Sequence, residues 1–251
     1  GLGTDQVAAL TSSQVGAFNT VQTAAFSTAQ AAAIETTDIS AMATASVRAL
    51  STAAIAALDT NQVLALTTVQ TAALSSSQVA GMTSAQIAAL QSTDMAVLNT
   101  AQVAVLNTAQ AAAIETGDIS ALNTTNVRVL STAAINALTT DQIHALTTAQ
   151  TSALTTAQTD ALNTAQIAAL ESTDFAVFSS AQVAVFNSAQ VAAIETGDIS
   201  ALSTNAVRAL TTDGVAGLST AQVATLTSNQ VGALNTAQTS AFTTAQAVAI
   251  E

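Results

Sequence analysis

Large apolar side chains recur at every eighth residue of this chain: Leu2, Leu10, Phe18, Phe26, Ile34, Met42, Leu50 and onward, without one insertion or deletion, to Phe242 and Ile250. Two residues after each stands Thr or Ser, from Thr4 and Ser12 to Thr244. Two further on the usual residue is Gln, then Val or Ile, then commonly Ala twice, so the consensus octad is Leu-(Asn/Thr/Ser)-Thr-Ala-Gln-Val-Ala-Ala. Eight residues of continuous α-helix turn through about 800°, which displaces each Leu by about 80° around the axis. No single face of such a helix would be apolar, and the period is neither the seven nor the eleven of a coiled coil. The helix must therefore break once per octad.

The residues at the break suit a helix start. In one register the recurring Thr or Ser is itself the N-cap. In the other the cap lies one residue earlier, as at Asn107; Gln110 then falls at N3 of a capping box and Leu106 at the N′ position of a hydrophobic staple. Both registers give helices of about one and a half turns, too short to stand alone, which must bury Leu and Val against neighbouring octads. The expected fold is all-α: a narrow superhelical solenoid of very short helices, one per octad, over 1–251 as a single continuous array of about 31 octads. The alternative is a β-solenoid, since Thr, Val and Ile form strands; Ala and Gln enrichment, scarce Gly and absent Pro weigh against it. The column Leu2, Leu10, Phe18, Phe26, Ile34, Leu106, Ile114, Phe178, Phe186, Ile194, Ile250 is expected to be buried throughout, with Val15, Val103 and Val183 beside it.

A second period lies over the first. IETTDISAM from Ile34 returns as IETGDISAL from Ile114 and from Ile194, ten octads on each time, and Arg48, Arg128 and Arg208 keep the same spacing. Asp94 and Asp174 obey it too, in QSTDMAVL and ESTDFAVF. The carboxylates Glu35 and Asp38, Glu115 and Asp118, and Glu195 and Asp198 are weak candidates for Ca²⁺, which takes clustered oxygen donors. Glu171 with Asp174 shares that three-residue spacing. Their plainer role is to place negative charge at helix N-termini. The three arginines, each ten residues after an Asp of this set, are ion-pair candidates. Gly117 and Gly197 are read as relaxing the chain at a local bend.

Composition narrows the chemistry. Only 7% of residues are charged, aromatics are 2% and all Phe, and Pro, Cys, Trp, Tyr and Lys are absent. No disulfide, thiolate metal site or Lys Schiff base is available, and the one histidine, His144, has no Cys partners for zinc. It reads as a tolerated surface residue. Hydroxyls abound, but without an adjacent base they are not nucleophiles. No catalytic or cofactor-binding residue is identified, and no cofactor is expected. A net charge of −12 repels nucleic acid. The longest apolar run, Ala53 to Leu58, is far below the roughly 18 residues a bilayer span needs, and GLGTDQVAAL lacks the marks of a signal peptide.

Tracts such as LNTAQVAVLNTAQAAAIETGDIS and LTTDQIHALTTAQTSALTTAQ resemble the Ala-Thr-Gln octapeptide arrays of very large proteobacterial secreted or surface proteins, often labelled adhesin-like or haem-utilisation proteins. The resemblance covers the whole chain and implies an extracellular or cell-surface location, within a longer protein. Haem binding is not carried over, because one His without Cys or Tyr offers no ligand set. The expected role is a non-catalytic structural one: stalk, spacer, surface coat or filament. A partner role for the chain itself, end to end or laterally, follows from matching first and last stretches without polar capping octads. The alternative is a binding module that presents a regular Thr and Gln lattice to ice or glycans.

Overall fold

A computed structural model describes residues 1–250. Among them are thirty α-helices of four to six residues and one 3₁₀ turn, Ile199–Ala201; no strand occurs among the described residues, and the fold is an all-α repeat solenoid, not a β-solenoid. Each α-helix begins at the recurring Thr or Ser, from Thr4–Ala8 to Thr244–Val248.

The cap lies one residue before that Thr, so the first of the two registers is corrected to the second. At Thr108–Ala113 the Asn107 side chain accepts from the Gln110 N–H at 2.9 Å, and Gln110 Oε1 accepts from the Asn107 N–H at 3.0 Å. The same box recurs along the chain, for example at Thr67 with Gln70 and at Ser219 with Gln222. The recurring Thr is therefore N1, not the cap. The break itself needs no special residue. Leu74 (φ −54°, ψ 139°) and Ser75 (φ −71°, ψ 155°) are two ordinary extended residues between helices, and no described residue has positive φ. Gly117 and Gly197 thus sit in conformations open to any residue, with open space around an added Cβ. The expectation that they relax a special bend is not met.

By its contacts the chain divides into two compact units, Gly1–Ala134 and Ile135–Glu251. Within each unit a helix packs against the one three octads along: Thr20–Ala24 on Thr44–Ala49 in the first, Ser188–Ala193 on Thr212–Gly217 in the second. Side-chain bonds reach a little further. Gln62 Nε2 donates to the carbonyls of Ala31 and Ile34, and Gln166 Nε2 to those of Ile135 and Leu138, 31 and 28 residues back. Helix contacts at three octads and amide bonds that reach almost to the fourth place between three and four octads in each superhelical turn.

Burial follows from that winding. The first residue of the octad and the Val/Ile position form the core: Ile34, Leu106, Ile114, Phe178, Phe186 and Ile194 are all at most 3% exposed, and Val103 and Val183 fully covered. The outermost octads depart from expectation. Leu2 is 38% and Ile250 36% exposed, and Leu10, Phe18 and Phe26 are half-buried, because only one side of their turn is covered by other octads. The pattern is directional. In the first turn Val7 and Val15 are already buried while Gln6 and Gln14 are exposed; in the last, Gln238 and Gln246 are buried while Thr239 and Ala247 are exposed. The Gln position thus faces the preceding turn and the Val position the following one. No helix of the described residues is long and apolar enough to cross a membrane.

Candidate functional site

The dominant polar element is a seam of buried glutamines. Each does two things at once. Its Oε1 closes the capping box of its own helix, and its Nε2 donates to carbonyls at the end of a helix one turn back. Gln102, 1% exposed, takes the Asn99 N–H at 2.7 Å and gives to Thr71 O at 3.0 Å and Leu74 O at 2.9 Å. Gln182 repeats this in the second unit with Ser179 N, Thr151 O and Leu154 O. The last carbonyls of a helix have no partner within it, so the seam satisfies them. One such bond contributes roughly 0.5–1.5 kcal/mol, and losing the donor leaves buried acceptors desolvated at a further cost. The short helices gain from this seam the fixed ends their length denies them.

The seam changes at the TDIS and GDIS segments, ten octads apart. Where Gln is expected stand Asp38, Asp118 and Asp198, and the side chain turns to a different neighbour: the Ser12 hydroxyl donates to Asp38, the Ser172 hydroxyl to Asp198, and the Ser92 backbone N–H to Asp118. An ionised Asp cannot donate to carbonyls, but it suits the positive end of a helix. Asp38 is buried and Asp118 half-buried. Loss of hydration raises the Asp118 pKa above the ordinary carboxylate value, and the Glu115 and Asp94 charges add to the rise against the Ser92 N–H.

Beside these aspartates a cleft opens in each unit at equivalent positions. In the first, of about 610 Å³, Leu64, Gln91, Ser92, Glu115 and Asp118 are among the lining residues. In the second, of about 460 Å³, they become His144, Glu171, Ser172, Glu195 and Asp198. His144 Nε2 lies 2.9 Å from Glu171 Oε1, both side chains well exposed. The Ser172 hydroxyl is committed to Asp198, not to the imidazole, so no nucleophile–base pair forms here. Among the described residues no group of three or more His, Cys, Asp or Glu is disposed to hold a metal ion, and Glu35, Glu115 and Glu195 stay exposed on the surface beside their aspartates. Behind the second cleft Asp174 is buried, 3% exposed, and accepts from Thr151 Oγ1 at 2.9 Å. Burial raises its pKa, against the lowering by the Glu171 N–H and the Thr151 hydroxyl; the Glu171 charge raises it further and His144 lowers it.

Arg48, Arg128 and Arg208 are exposed, and among the described residues none forms an ion pair. The ion pairs expected of the arginines are not among the described contacts, and the one acid–base side-chain contact described is that of His144 with Glu171. Nothing in the structure explains the regular spacing of the arginines. Phe18 and Phe26 meet edge to face with centroids 5.2 Å apart, and Phe178 packs on Phe186 at 5.7 Å and on Phe175 at 5.8 Å.

The second role of Gln escapes a local reading of the octad, yet a signal for it exists. A capping box accepts Glu as readily as Gln, but in this acidic chain no octad carries Glu at that position. Only the amide has hydrogens to give.

Fold and seam together define a repeat protein whose octads are held by one recurring interaction. The chain belongs to the ALTTAQ repeat family, whose model matches residues 31–68, 111–148, 140–172, 167–194 and 191–228, together more than half of its length. No curated protein matches it.

Proposed function

We propose that the chain is a non-catalytic structural segment of a larger bacterial surface or secreted protein, serving as stalk, spacer, surface coat or filament. One observation carries the reading: in both units most polar groups that are buried are spent on joining one turn to the next, as Gln86 does with Ile55 O and Leu58 O. The resemblance to octapeptide arrays of adhesin-like proteobacterial proteins supports the extracellular setting. The partner in this reading is a second copy of the array, met end to end or laterally.

Electron microscopy of the purified chain, with sedimentation at rising concentration, tests it. Fibres or sheets support the filament or coat; a strict monomer at high concentration removes self-assembly and leaves the spacer. The second reading, a lattice for ice or glycans, now rests on hydroxyls alone, since the buried seam glutamines are at most 3% exposed while Thr100 and Thr108 face solvent. Thermal hysteresis, or retention on a polysaccharide panel, would favour that reading over the purely structural one.

A further inference from the structure

The glutamine seam is interrupted over three successive octads, and the interruption returns every ten octads. At the Gln position stand Asp38, Ser46 and Ala54; then Asp118, Asn126 and Ala134; then Asp198, Ala206 and Gly214. Asp94 and Asp174 also replace Gln, but each in a single octad with Gln in both adjoining ones. Shorter donors rescue part of two windows. Ser46 Oγ reaches only Phe18 O, at 2.7 Å, and Asn126 Nδ2 only Leu98 O, at 2.7 Å, each 28 residues back. Asp, Ala and Gly have no side-chain donor to offer at pH 7. With between three and four octads per turn, three in succession amount to most of one turn without full stitching.

A separate feature marks the same place. The two clefts open against the carbonyl-bearing residues that a Gln at 118 or 198 would reach, since Leu90 lines the first and Leu170 the second. The first helix of each window is short: Thr116–Ile119 has four residues, as the stitched Thr100–Val103 and Ser180–Val183 also have, and its counterpart in the second unit is the only 3₁₀ turn among the described residues, Ile199–Ala201.

We propose that these windows are built-in opening turns, at which the solenoid yields first and reversibly, once per ten octads, while the stitched octads between them stay closed. Opening there separates two turns at the cost of fewer side-chain bonds than elsewhere, in the middle window that of Asn126 to Leu98 O and the contact of Asp118 with Ser92, and beside Asp118 and Asp198 a cleft already lies against the turn that would separate. The inference needs the stacked octads and no particular external role, so it stands or falls apart from the structural reading above.

Hydrogen exchange of the full chain, read by mass spectrometry, tests it in the first unit, away from the more exposed end turns. Amides of residues 116–134 should exchange at least about tenfold faster than those of residues 60–88, since Asp118 and Ala134 each lack the two bonds a Gln makes and Asn126 lacks one. Equal or greater protection in 116–134 overturns the proposal. Asp118→Gln puts a donor where the cleft leaves room for it and should slow exchange in the window by about tenfold, whereas Asp118→Met, of similar length without a donor, relieves the same unfavourable charge and should slow it markedly less. Equal exchange in the two variants would also overturn it, because the window would then respond to charge and volume and not to stitching.

Discussion

The octads around Leu64 to Leu106 and those around His144 to Phe186 are the same structure, one higher-order repeat apart, filled with different side chains. In the first the core column reads Met95, Leu98, Leu106; in the second, Phe175, Phe178, Phe186. All six are at most 3% exposed. Three rings replace three aliphatic side chains together, and the rings take up edge-to-face and tilted contacts with each other. A core column thus changes volume as a group, where one enlarged member would overpack. Polar neighbours differ as well. Thr151 donates to Asp174, whereas Thr71 Oγ1 and Asp94 Oδ1, the equivalent atoms, are the buried side-chain atoms without a partner among the described residues. On the surface Leu64 and Gln91 become His144 and Glu171, in contact at 2.9 Å. The invariant part is the backbone and the seam; core volume and surface charge vary freely around it.

The largest break in that equivalence comes from the seam itself. Gln102→Glu and Gln182→Glu retain the capping acceptor but aim a buried carboxylate at two carbonyls, and each should destabilise its unit by at least about 3 kcal/mol. Equilibrium denaturation of both variants should give similar losses, since the seam is the common part; a small loss in either would show that Nε2 bonding adds little. Core truncation should separate the copies. Phe186→Ala should cost about 3–5 kcal/mol and Leu106→Ala about 2–4, the ring leaving the larger cavity and losing its edge contact with Phe178. Thermal melts decide whether the order holds.

Titration sharpens the polar difference. Asp118 and Asp174 have folded pKa values above their unfolded ones. Their contribution to stability is therefore full below the ordinary carboxylate pKa and is lost as pH rises through the raised value. Asp118→Asn and Asp174→Asn should each be more stable than the parent at pH 7 and flatten its pH dependence in the acidic range above pH 4. Melting temperatures from pH 3 to 7 check this, and equal slopes for parent and variants would refute it. The smallest effect belongs to His144→Leu, which makes the second cleft resemble the first. An exposed pair contributes below about 0.5 kcal/mol, so the melt should scarcely move.

Much of this was legible in the octad. The break once per eight residues, the helix starts and the two core columns follow from the spacing of Leu106, Asn107, Gln110 and their equivalents. The choice between cap registers did not, because Thr and Asn are both good caps and only backbone placement separates them. The pairing of Gln102 with Thr71 and Leu74 lay beyond local reading, since it depends on octads per turn, a property of packing between turns. The clefts were half legible. The Glu115 and Asp118 pair stood out, but the opening beside it arises from what a Gln at 118 would have done.

The seam also bears on how such a chain changes length over generations. A gain or loss of one whole octad leaves most later glutamines facing an equivalent pair of carbonyls, because every helix end presents the same two acceptors. A gain or loss that is not a multiple of eight carries the amides of the next turn off their acceptors, because each reaches 28 and 31 residues back across the altered stretch. Whole octads are therefore the unit of length that the seam tolerates, and the octads from Leu2 to Ile250 run without one departure from that period.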